Sequence, residues 1–252
     1  MDSPKKNSFL RKKQWWEGLF ANFLGALLGI VVTFGTSGYL EFRDKKAMGR
    51  TAALMTISDI EHSIRKLETD CRSFQKYDTI FRAVLSRYPD KLEQVPDDTL
   101  FLYVNSFLDD KFFIVDPSAE GIFTHSSEIW RTLDNHTLQQ RIGHCFAFRN
   151  TLNDFAIDLQ KRQRLAAEEF FKEKFFSDRR NTYAAVRELT ARPAVRHYLA
   201  VYPGDVDFLI GKVRILKRMN ERNRQDMHIT DAELAKYLEF SGEEYETPDV
   251  DE

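Results

Sequence analysis

One thiol lies beside an imidazole in this chain, at His144-Cys145, and such neighbours are the simplest source of an activated nucleophile. The spacing defeats that chemistry. Adjacent helical residues point about 100° apart and do not face each other, so Cys145 reads as a core residue and His144 as a surface one. The six histidines (His62, His125, His136, His144, His197 and His228) allow a test for a di-iron site, which needs Glu-x-x-His on two helices. None has Glu three positions before it. The nearest copy, Asp59-Ile60-Glu61-His62, is single and carries Asp there. Phosphate-binding loops, dinucleotide turns, His-Glu-x-x-His and Gly-x-Ser-x-Gly are all absent. Asp97-Asp98 and Asp109-Asp110 are paired carboxylates beside turn residues, where capping or solvation explains them. The reading is a non-enzyme with no catalytic, cofactor-binding or metal-binding residues.

One basic cluster stands out, formed by Lys212, Arg214, Lys217, Arg218, Arg222 and Arg224, with Glu221 interrupting it. A patch of this kind can meet acidic headgroups, nucleic acid or an acidic protein, but a solvated helix face explains it as well. No aromatic is interleaved for base stacking, and the formal net charge of the chain is −2. Nucleic acid is therefore not expected as a partner.

The elements that carry these residues begin with a membrane segment. Gly18 to Leu40 is a run of 23 residues without a charge, about 34 Å of helix and enough to cross a bilayer core. Trp15 and Trp16 precede it and Tyr39 closes it, the amphipathic rings that an interfacial belt requires. The run is longer than the apolar core of a cleaved signal, so a permanent single-pass anchor over 16–41 is expected, with the lipid bilayer as a partner. Ala21, Gly25, Gly29, Thr33 and Ser37 recur every four residues and include a literal GxxxG. Small side chains on one stripe let helix backbones approach closely, which points to self-association or a partner membrane protein. Five Lys/Arg precede the span (Lys5, Lys6, Arg11, Lys12, Lys13), within a basic tail of residues 1–15, and four follow closely (Arg43, Lys45, Lys46, Arg50). That small excess favours an N-terminus inside and a C-terminal domain outside the inner membrane.

Only 11 Gly and 7 Pro punctuate 252 residues, too few turns for a sheet. An all-α fold follows: one transmembrane helix, then a bundle of long helices over 42–240. Ile57, Ile60, Ile64, Leu67, Cys71, Phe74, Phe81, Leu85 and Tyr88 alternate steps of three and four, with Asp78 as a break. This is one face of a helix over 50–88, packed inside its own bundle rather than in a coiled-coil dimer. Shorter helices are expected near 97–108 and from Ser118 to about Leu133. A long one follows from about 136 to 176, capped by Asn135 and carrying Leu138, Ile142, Cys145/Phe146, Leu152, Phe155/Ala156, Leu159 and Phe170. Arg192-Pro193 and Tyr202-Pro203-Gly204 are read as breaks, with a helix over 205–226 after them. Thr230-Asp231-Ala232-Glu233 opens the last helix as a capping box. Cys71 and Cys145 are read as buried thiols. Residues 241–252 hold six acids and no base, and are expected to be a disordered, solvated tail.

The basic tail, single membrane helix and long first helix are followed by Phe112-Phe113, Ala119, Phe123, Ser126/Ser127, Leu133, Asn135, Leu138 and Ile142. Over about residues 15–160 this pattern resembles a family of uncharacterised single-pass bacterial membrane proteins known only as a domain of unknown function. The chain departs from that family in a span rich in Phe, Gly and Thr rather than Ile and Val. The resemblance implies a bacterial envelope protein with a helical domain and carries over no activity. The function expected is a membrane-tethered interaction or scaffold module. A signalling accessory subunit and an enzyme with dispersed site residues are the alternatives.

Overall fold

One helix, α1 (Lys6–Leu85), runs unbroken for 80 residues. The computed structural model describes residues 6–109, 118–173 and 182–240, and their side chains over 40–109, 118–173 and 182–237. Proline is absent from α1 and next appears at Pro89, so nothing in its interior removes an amide donor or forces a kink. The face spaced by threes and fours is the buried one: Ile57, Ile60, Ile64, Leu67, Cys71, Phe74 and Phe81 all lie in the core. Asp78, the break in that series, turns its carboxylate to Arg82 one turn on, at 2.7 Å.

A short 3₁₀ turn (Leu92–Gln94) leads to α2 (Asp97–Ser106). Then come α3 (Ser118–His125), α4 (Ser127–Arg131), α5 (His136–Glu173), α6 (Thr182–Ala191), α7 (Pro193–Asp226) and α8 (Asp231–Phe240), with no strand among the described residues. The three long helices form the frame. Tyr202 on α7 donates to the Phe74 carbonyl at 3.2 Å, while Asn220, further along α7, donates to the Ile57 carbonyl at 3.2 Å. Rising numbers on α7 therefore meet falling numbers on α1, and the two are antiparallel. Arg162 reaches Asp205 at 2.8 Å and Arg141 reaches Asn223 at 2.7 Å, so α5 is also antiparallel to α7 and runs parallel to α1. At the far end α2 and α6 close the bundle. At the near end α3, α4 and α8 pack on α1, with Thr132 at Lys45 and Glu233 at Arg50.

Two expected caps are present. The Asn135 side chain accepts from the Leu138 amide at 2.9 Å. At α8, Glu233 accepts from the Thr230 amide at 2.9 Å while Thr230 Oγ1 accepts from the Glu233 amide at 3.2 Å, a reciprocal capping box. Two expected boundaries are corrected. The segment Ser118–Leu133 is two helices, divided at Ser126. Pro203 does not end a helix; it lies inside α7. A proline there costs about 3 kcal/mol of helix stability, and the burial of Tyr198, Leu199, Tyr202 and Val206 around it outweighs that cost.

Among the described residues no helix is long and apolar enough to cross a membrane. The expected span 16–41 falls almost wholly on a part of α1 whose side chains lie outside the described residues, and only its last two residues, Leu40 and Glu41, both exposed, are among them. The tail 241–252, Phe112-Phe113 and Asp110 also lie outside them.

Candidate functional site

The charged groups drawn into the bundle gather where α1 meets α5, α7 and α3, and Arg149 is at their centre. It follows Ile142 and Cys145/Phe146 on the apolar face of α5 and precedes Leu152 and Ala156. A guanidinium thus occupies a core position, and its side chain is 0% exposed. All three of its nitrogens have partners. Nη1 donates to Asp59 on α1 at 2.9 Å, Nη2 to Glu120 on α3 at 3.1 Å, and Nε to Asn150 at 3.3 Å. Asn150 also donates to Glu120 at 3.0 Å, and the guanidinium lies 4.8 Å from the centre of the Phe146 ring. Asp59 and Glu120 are 21% and 33% exposed. A planar fork suits bidentate bridging between two carboxylates, and it joins three helices through one side chain.

A second polar layer joins α1, α5 and α7. Buried Asn220 donates to Glu61 at 3.1 Å as well as to the Ile57 carbonyl. Buried Asn223 accepts from Arg141, which also bridges to Asp226, and directs its amide at the Cys145 sulfur, 3.6 Å away. Burial pushes the Cys145 thiol up to about 11, opposed by the Asn223 amide and the Arg141 charge. Cys71 is pushed up to about 12, first by burial and then by Asp70 and Glu68. Neither thiol is available as a thiolate near neutral pH, and both are free and buried, as expected.

The far end is aromatic. Phe81 packs edge-on against Tyr103 and Tyr202, with ring centres 5.7 and 5.0 Å away. The hydroxyls of Tyr103 and Thr190 lie 2.8 Å apart, and Tyr198 donates to Gln163 at 3.1 Å. Beside them, Asp70, Ser73, Tyr77, Asp109 and Gln163 line a cavity of about 10 Å³, the size of one water. Tyr77 donates to Asp109, and burial together with that carboxylate raises its phenol above the ordinary tyrosine value.

The six basic residues read from the sequence fall into two groups. Lys217 pairs with Glu68 at 2.9 Å, Arg224 pairs with Asp231, and Lys212 lies over the Phe208 ring at 5.1 Å. Arg214, Arg218 and Arg222 lie on the outer face of α7, exposed, and meet no carboxylate among the described residues. Above them a groove of about 300 Å³ between α1 and α7 is floored by Cys71, Ile210 and Val213 and edged by Glu68, Arg72 and Arg214. The expected helix-packing stripe (Ala21, Gly25, Gly29, Thr33, Ser37) and interfacial rings (Trp15, Trp16, Tyr39) fall where side chains are outside the described residues. His144 is exposed beside buried Cys145, and no group of His, Cys, Asp and Glu among the described residues is arranged to hold a metal ion. The chain matches no family model, no curated protein and no solved structure.

The basic cluster is legible in the sequence, whereas the Arg149 network is not among the residues that the sequence motifs single out. The signal it leaves is an arginine at a core position of an otherwise apolar helical series, and burying such a charge requires partners from other elements.

Proposed function

We propose that this chain is a single-pass, membrane-anchored interaction module of the bacterial inner membrane, with its N-terminus inside and its helical bundle outside. The observation that carries the reading is the continuity of α1 from Lys6 to Leu85. The uncharged run Gly18–Leu40 and the helix that organises the bundle are then one element. Thr132, which caps the end of α4, donates to the Lys45 carbonyl, and Arg50 pairs with Glu233 on α8 at 2.9 Å. The bundle thus begins about five residues past the run, roughly 7 Å of helix, and stands directly on the bilayer surface. The small-residue stripe from Ala21 to Ser37 would pair this helix with a second copy or a partner membrane protein. The resemblance to single-pass bacterial envelope proteins agrees with this placement.

Washing membranes with alkaline carbonate tests the anchor. The full chain is expected to stay with the bilayer, and removal of residues 16–41 is expected to release it. Release of the full chain would refute the anchor. Disulfide formation by Gly25→Cys and Gly29→Cys, absent for substitutions on the opposite face, tests the packing stripe. A reporter fused to the C-terminus tests the orientation, and a signal from the cytoplasmic side alone would reverse it.

A further inference from the structure

Arg214, Arg218 and Arg222 follow each other at intervals of four on α7, which places three like charges above one another on a single helix face. Such pairs repel and destabilise a helix, and none of the three forms an ion pair among the described residues, the adjacent Glu68 being bound to Lys217 instead. The neighbouring bases differ, because Lys217 is paired with Glu68 and Arg224 with Asp231. The stripe is therefore a selected part of the cluster, and Arg72 extends its positive field at the groove beside Arg214.

We propose that the acidic C-terminal segment 241–252 of the same chain docks along this stripe. It carries Glu243, Glu244, Glu246, Asp249, Asp251 and Glu252 and no base, a charge complement to three unpaired arginines. It also starts close by. The Arg224–Asp231 pair ties the start of α8 to the lower end of the stripe. From Asp231, α8 covers about 15 Å, Arg224 to Arg214 is a further 15 Å or so, and twelve extended residues reach roughly 40 Å. Tethering of this kind supplies an effective concentration in the millimolar range, so a weak, salt-sensitive contact suffices. Bilayer headgroups fit the stripe less well. It runs along α7, which lies antiparallel beside α1, and a membrane crossed by α1 would meet it end-on.

The experiment uses the full chain in detergent micelles with nitroxide labels at Gly211→Cys and Val250→Cys. Gly211 is open to solvent, with nothing within 4 Å of an added Cβ, and the native thiols are buried. Pulsed dipolar spectroscopy at low salt is expected to give a narrow, short distance distribution. It should lengthen and broaden at 0.5 M NaCl, where the screening length falls to a few ångströms. The same change is expected in Arg214→Gln/Arg218→Gln/Arg222→Gln, and in a second variant with the six tail acids changed to their amides, which leaves the bundle untouched. Dilution with unlabelled chain should leave the short distance in place. A distribution identical in the wild type and the charge-neutralised variants would overturn the proposal. Loss of the short distance on dilution would also overturn it, by assigning the contact to a second copy. A short distance unaffected by salt and by both variants would show that charge does not hold the tail.

Discussion

Replacing Arg149 by Met tests whether one buried guanidinium locks α1, α3 and α5 together. Met fills much of the volume of the arginine stem, so little of the loss comes from a cavity. The main loss is electrostatic: Asp59 and Glu120 keep their charges and lose the bridge. Removing one partner of a fully buried pair costs about 3–5 kcal/mol. Here the abandoned carboxylates are 21% and 33% exposed and retain some water, and Glu120 keeps the Asn150 amide at 3.0 Å. The expected cost is therefore below that range, about 2–3 kcal/mol, or roughly 30- to 150-fold in the unfolding equilibrium. With a urea slope of about 2 kcal/mol/M, the midpoint should fall by about 1–1.5 M.

The assay is urea unfolding of the full chain in micelles, with Trp15 and Trp16 changed to Phe so that Trp130 reports alone. Trp130 is 3% exposed and stacks edge-on with Phe123 at 4.9 Å, beside the helix that carries Glu120. A second variant separates the causes. Arg149→Met/Asp59→Asn removes one of the two carboxylates that lose the guanidinium and should recover about 1 kcal/mol relative to Arg149→Met alone. A midpoint shift below about 0.2 M for the single variant would refute the lock. A double variant no more stable than the single would show that the loss arises from packing rather than from a stranded charge.

Further predictions concern the backbone and the thiols. A Cβ at Gly49 would lie 2.5 Å from Thr132 Oγ1 and 3.2 Å from the Ile129 carbonyl, so Gly49→Ala should lower the melting temperature despite its better helix propensity, and adding Thr132→Ala should restore part of it. Pro203→Ala returns an amide donor to the interior of α7 and should stabilise the chain by about 1–3 kcal/mol in the same urea titration; a destabilised variant would show that the proline ring is needed for packing. His228 has φ 50° and ends α7 with the Ile229 amide on the Arg224 carbonyl at 3.0 Å, so His228→Gly should add about 0.5–1 kcal/mol by relieving the left-handed backbone. Cys71 and Cys145 hold their protons in the folded chain to about pH 12 and 11, above the ordinary thiol value of 9.0. The unfolded thiols ionise first, so this contribution to stability is complete below about pH 9 and is lost as pH rises towards 11–12. Labelling by a disulfide reagent at pH 8 should wait for urea unfolding, and prompt labelling of the native chain would contradict the burial.

Regular apolar spacing was enough to read the α1 face from Ile57 to Phe81, and short-range chemistry was enough to read the caps at Asn135 and Thr230. In both cases the determinants lie within a few residues of one another. The errors came where distant residues decide. Pro203 is a breaker by local rules, yet the helix continues because Tyr202 is fixed to Phe74, 128 positions away. In α5 the apolar series passed over positions 149 and 163 because their side chains are polar. Both are buried, and their partners lie on α1, α2, α3 and α7. The basic cluster could be recognised as a group, but its division into paired and unpaired members could not, since Glu68 and Asp231 are brought to it by folding.

The two ends of the bundle solve different problems. At the far end Phe81, Tyr103, Phe107, Tyr198 and Tyr202 supply area, and the hydrogen bonds there join neutral groups: Tyr103 with Thr190, Tyr198 with Gln163 and Tyr202 with the Phe74 carbonyl. At the near end the directional contacts include charged groups: Asp59 and Glu120 to Arg149, Glu61 to Asn220, Arg141 to Asn223. Sliding α5 by one heptad along α1 would keep most apolar residues in register with apolar ones. It would also carry a fully buried guanidinium about 10 Å from both carboxylates, leaving an unpaired buried charge at a cost larger than the lost packing. The polar layers therefore penalise the alternative registers that a heptad pattern otherwise permits. They do so at the end where α1 continues towards Gly18–Leu40. If that run is anchored, a rotation or shift of the membrane helix meets the contacts of Lys45 with Thr132 and of Arg50 with Glu233 first, and then the Asp59–Arg149–Glu120 bridge, the first of these contacts whose guanidinium is fully buried and so cannot be left unpaired.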